Sequence, residues 1–101
     1  AAHYAPRARV EVVAAPALAA RAAAARGPVA VILPADEGEA PPGTVVLGRP
    51  ADANAYAREL YAMLHAADAR GCAVVLATPP PADGLGLAVR DRLQRAAAGA
   101  R

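Results

Sequence analysis

The sequence has 101 residues, the size of one small domain with a single core. Hydrophobic residues make up 56%, but much of that is alanine, and with no Phe or Trp the core must rest on Val, Leu, Ile and the three tyrosines. All 11 basic residues are arginine and the formal charge is only +2, so the chain has neither a lysine nor a serine for nucleophilic or phosphate-loop chemistry, and its basic charge is too dispersed to mark direct nucleic-acid binding.

The single cysteine, Cys72, excludes an internal disulfide and suits a reducing cytoplasm. The start carries no apolar signal core. Glu11, Arg21 and Arg26 interrupt the alanine-rich stretch, so no run reaches the roughly 18 apolar residues of a membrane span. The expected location is cytoplasmic, with no membrane association.

Residues 1–8 are read as the tail of a linker, being polar and carrying Pro6. Arg9 to Ala14 alternates and then turns apolar, which predicts a first strand. Pro16 suits the first turn of a helix, and Ala17 to Arg26 should form that helix, ended by Gly27-Pro28. Val29 to Leu33 is a continuous apolar run, the pattern of a strand buried on both faces. Pro34 to Gly43 is an acidic loop in which Asp36, Glu37 and Glu39 are read as solvated, and Thr44 to Leu47 is a short strand.

Asp52 is placed to cap a helix that runs to about Arg70, with Gly71 as its stop. Tyr56, Leu60, Met63, Leu64 and Ala67 share one face of it at three- and four-residue spacing. Cys72 to Ala77 predicts another buried strand, with Cys72 an unreactive small hydrophobe at its start. Thr78 to Ala82 is a stiff loop. Asp83-Gly84 opens a last helix that should turn Leu85, Val89, Leu93 and Ala96–Ala97 inward and carry an Asp91–Arg95 ion pair. The domain is expected over residues 9–98, with a flexible C-terminus at 99–101.

The order β-α-β-β-α-β-α, with two crossovers, predicts an α/β fold: a small, mostly parallel sheet flanked by helices, Rossmann-like but truncated. In such a sheet a ligand lies beyond the carboxyl ends of the strands. Here that means the loops near Ala15, Pro34–Gly43, Gly48–Asp52 and Thr78–Gly84. Within the last of these, Asp83, Gly84 and Gly86 form a candidate crevice or anion site at a helix start. Val89 stands where a dinucleotide fingerprint requires Gly or Ala, and a phosphate loop would need lysine, so a turn permitting close helix packing is the competing reading. His3 and His65 have no metal-ligand spacing around them, so no metal site is expected, and no catalytic residue is assigned.

Three stretches resemble one family: His3-Tyr4-Ala5-Pro6; Tyr56 to Leu64 with Asp68 and Gly71; and Pro79 to Ala97 with Asp83-Gly84-Leu85-Gly86 and Asp91-Arg92-Leu93. Together they are similar to the C-terminal accessory domain of long-form L-threonylcarbamoyladenylate (threonylcarbamoyl-AMP) synthases, two-domain members of the YrdC-like family. Residues from about Ala14 to Gly43 match only in their order of elements. The resemblance implies a nucleotidyltransferase that joins L-threonine, bicarbonate or CO2, and ATP into threonylcarbamoyl-AMP and pyrophosphate, for threonylcarbamoyladenosine in tRNA. It places that chemistry, with ATP and magnesium, in an N-terminal catalytic domain, the expected partner. This chain alone should be inactive, monomeric and without a cofactor of its own. It further implies that His3 and Tyr4 end a linker reaching the catalytic nucleotide cleft, and that Asp91 and Arg92 are structural, the arginine bonding backbone carbonyls or a carboxylate. Two departures stand out: the upstream linker residues are not in the sequence, and His65 replaces the family's usual arginine. The competing functions are a stand-alone small-molecule or nucleotide-binding module and a tRNA or protein docking domain.

Overall fold

The computed structural model describes residues 5–99. Its elements in chain order are β1 (Arg9–Val12), a 3-10 turn (Ala15–Ala17) leading into α1 (Leu18–Ala24), β2 (Val29–Ile32), β3 (Val45–Gly48), α2 (Ala53–Ala69), β4 (Val74–Ala77) and α3 (Leu85–Gly99). The four strands form one sheet in the order β1-β4-β2-β3, and every pairing is parallel. The α/β class expected from the sequence is the class observed.

The strand order follows from composition. β2 and β4 carry no polar side chain and are buried at every position, so they take the two central places. β1, with Arg9 and Glu11, lies at one edge. β3, whose Val46 is 43% exposed, lies at the other.

The sheet separates two apolar layers. On one face Val10, Ala30, Ile32, Val75 and Ala77 meet α2 and α3 through Tyr56, Leu60, Met63, Leu64, Ala67, Val89 and Leu93. The helical stripe expected of α2 is therefore buried throughout, and each such leucine contributes roughly 1.5–3 kcal/mol relative to exposure. On the other face Val29, Val31, Leu33, Val74 and Leu76 pack with Val13 and with Leu18 of α1. Arg21 of α1 clamps Glu11 of β1 with both nitrogens of its fork, at 2.7–2.9 Å, and so ties the short helix to the edge strand.

Several local expectations are corrected. Leu85 is 40% exposed, and Gly86 takes the inward position with Val89 and Leu93. At the first turn the backbone of Gly86 is pressed on the Pro81 carbonyl, so the glycine rather than Leu85 faces the core, while Val89 and Leu93 stay inward as expected. β1 ends at Val12 rather than Ala14, although the Val13 amide still donates to the Ala77 carbonyl at 2.9 Å. Cys72 is buried but precedes the strand: Gly71 turns the chain at φ +69°, and β4 starts at Val74. The carbonyl-binding role expected of Arg92 falls to Arg90, whose Nε donates to the Pro80 carbonyl at 2.7 Å. The Asp91–Arg95 pair forms at 3.1 Å on the solvated side of α3.

Candidate functional site

Two places stand out, at opposite ends of the parallel strands. The first is where the chain enters β1. Asp68, in the last turn of α2, accepts the backbone amides of Arg7 and Ala8 with its two carboxylate oxygens, at 3.0 Å each. A carboxylate near a helix C-terminus opposes the helix dipole and costs about 0.3–1 kcal/mol at an exposed site. Two consecutive amides offset that cost and fix the direction of the chain before β1. Pro6 and Ala8 are buried, so this part of the linker tail is packed against the domain. His3 and Tyr4 lie outside the described residues, as do 100 and 101.

The second place is a crevice of about 270 Å³ beyond the carboxyl ends of β2, β3 and β4. Its walls are largely apolar: Pro34, Pro50, Ala51, Ala53, Tyr56, Pro80 and Pro81. Asp36, Asp52 and Asp83 supply its charge. Three of the four loops that strand polarity points to therefore contribute to it; the loop at Ala15 does not. Asp52 is partly committed, since its Oδ1 caps α2 by accepting the Ala55 amide at 2.8 Å.

Arginines shape the crevice without lining it. Arg49 donates to the carbonyls of Leu33, Pro34, Ala35 and Gly38, folding the loop after β2 that carries Asp36. Arg90 holds the Pro80 carbonyl. Beneath the floor the Tyr56 hydroxyl donates to the Thr78 carbonyl at 2.8 Å, and the Thr78 hydroxyl donates to the Val13 carbonyl at 2.8 Å. This relay ties α2, the end of β4 and the end of β1 together, and burial pushes the Tyr56 phenol well above its ordinary pKa.

Of the sequence-predicted trio, only Asp83 lines the crevice. Gly84 has φ +51°, and Gly86 is buried against the Pro81 backbone. The Gly86 and Leu87 amides are taken by the carbonyls of Asp83 and Gly84, at 2.9 and 3.1 Å. The turn thus serves close packing, and its amides already have partners within the turn. His65 is exposed on α2. Among the described residues no three His, Cys, Asp or Glu side chains are grouped to hold a metal ion, and no helix is long and apolar enough to cross a membrane. Asp68 and Arg49 were missed as organising residues: their roles depend on backbone groups 60 and 16 residues away, which no local pattern announces.

Residues 1–98 match the family described as threonylcarbamoyl-AMP synthase, C-terminal domain. The chain belongs to this family. Comparison with curated proteins gives no match. Membership in the threonylcarbamoyl-AMP synthase C-terminal domain family connects the chain to an enzyme family of tRNA modification, and this is the family that the three stretches of the sequence resemble.

Proposed function

We propose that this domain is the accessory part of a threonylcarbamoyl-AMP synthase and anchors a linker over the catalytic cleft of an N-terminal YrdC-like domain. The observation that carries the reading is the Asp68 carboxylate holding the Arg7 and Ala8 amides. A passive tether needs no such grip. A linker that must aim His3 and Tyr4 at a nucleotide does, because anchoring one end raises the local concentration of the other at its target. Pro6 restricts Ala5 to extended backbone and stiffens the segment. Tyr4, with a flat face and one hydroxyl, would pack against the nucleotide or the rim of its cleft. Closure would exclude water from carbamate and acyl-adenylate intermediates, which hydrolyse readily.

In this reading L-threonine, bicarbonate, ATP and magnesium are bound by the catalytic domain in the cytoplasm. The present chain alone releases no pyrophosphate from ATP with threonine and bicarbonate. The test is Asp68→Ala in the two-domain enzyme, beside Tyr4→Ala. Both should lower threonylcarbamoyl-AMP formed per ATP consumed, while circular dichroism of the domain stays unchanged. Unaltered coupling in both variants would reduce the segment to a tether.

A further inference from the structure

We infer that the crevice beyond β2, β3 and β4 is a docking groove for a protein segment that presents an arginine or lysine between apolar side chains. Two observations combine here. The walls are apolar and stiff, being built from Pro34, Pro50, Pro80, Pro81 and Tyr56, so little conformational entropy is lost when they are covered. The charged groups lining the groove are Asp36, Asp52 and Asp83, all exposed, whereas Arg49 and Arg90 are turned onto backbone carbonyls of the flanking loops and do not line it.

The charge complementarity selects the occupant. An anionic ligand such as a nucleotide would meet three carboxylates, and the α3 amides beside them are already engaged within the turn. A bare metal ion does not suit the site either, since the carboxylates are not grouped for ligation. An extended cation on an apolar stem satisfies both features: its stem lies along the prolines and its head reaches the carboxylates. Seven apolar residues line the crevice, more wall than one cationic side chain covers, which favours a peptide over a small free cation. Because all strands are parallel, this groove opens at the end of the sheet remote from the Asp68 grip on the linker tail.

The experiment is a titration of the isotope-labelled 101-residue chain with a blocked pentapeptide, Leu-Arg-Leu-Arg-Leu, followed by amide NMR shifts. Saturable shifts are expected at Asp36, Ala51 to Ala53 and Asp83 to Leu87, with a Kd on the order of 1 mM or somewhat tighter for so small a probe. The same peptide with glutamate in place of arginine should give none. Asp36→Asn combined with Asp83→Asn should weaken binding roughly tenfold, with Asp52 left intact because it caps α2. Absence of saturable shifts at these residues, or binding indifferent to the paired asparagines, would overturn the proposal. Arginine amide binding as tightly as the peptide would also overturn it, by making the crevice a pocket for a free cation.

Discussion

Replacing Gly86 by alanine should destabilise the domain, although the same change in an ordinary helix stabilises by about 0.5–1 kcal/mol. A Cβ at this position would lie 2.0 Å from the Pro81 carbonyl oxygen and 3.2 Å from its carbon. To restore ordinary contact the helix and the loop must part by about 1.4 Å. Neither side yields easily. Pro79, Pro80 and Pro81 stiffen the loop, and Arg90 of α3 is bonded to Pro80, so the movement also stretches that bond. Overpacking of this kind costs about 1–3 kcal/mol, and part of the Arg90 bond adds to it. Set against the helix gain, the expected net loss is about 1–2 kcal/mol, or roughly 4–8 °C in Tm per kcal/mol for a domain of this size. Gly99→Ala is the control, because nothing lies within 4 Å of its added carbon; it should be neutral or slightly stabilising. Urea unfolding followed by circular dichroism measures both. A Gly86→Ala variant as stable as the parent would refute the packing account of this turn and return its amides to consideration as a ligand site.

Tyr56→Phe should cost about 1–2 kcal/mol in the same assay, because it removes the donor to the buried Thr78 carbonyl; a loss below about 0.5 kcal/mol would show that the relay is not a structural tie. Burial opposes ionisation of Glu11, but the hydrogen bonds and charges of Arg21 and Arg9 outweigh it and hold the carboxyl below its ordinary value. Its contribution is therefore complete above the ordinary glutamate pKa of about 4.3 and is lost as pH falls through the lowered folded value, so Glu11→Gln should flatten the acid limb of a stability–pH curve. An unchanged acid limb would remove the clamp from the account. Cys72, at 7% exposure, should react slowly with a thiol reagent until denaturant is added, and rapid stoichiometric labelling of the native domain would contradict its burial.

Periodicity and composition determine much of this molecule. Val29 to Leu33 and Val74 to Ala77 have no polar side chain that could tolerate an edge, so they announce buried central strands. The apolar stripe from Tyr56 to Ala67 and the Asp52 cap determine α2, because helix faces and caps are local properties. The family, too, was legible in three short stretches of sequence. The tertiary structure decided what depends on distant backbone. Spacing puts Leu85, Val89 and Leu93 inward, but at the first turn of α3 Gly86 packs on Pro81 in place of Leu85, which is left in solvent. Asp68 carries no sign of its partners, since the Arg7 and Ala8 amides come within reach only when β1 lies beside β4 and α2 lies across the sheet. The crevice is of the same kind. Strand polarity points to the loops that form it, but only the folded chain brings Asp36, Asp52 and Asp83 around one proline-walled space, because their separation in sequence is bridged by the sheet and by Arg49 bonded to the loop after β2.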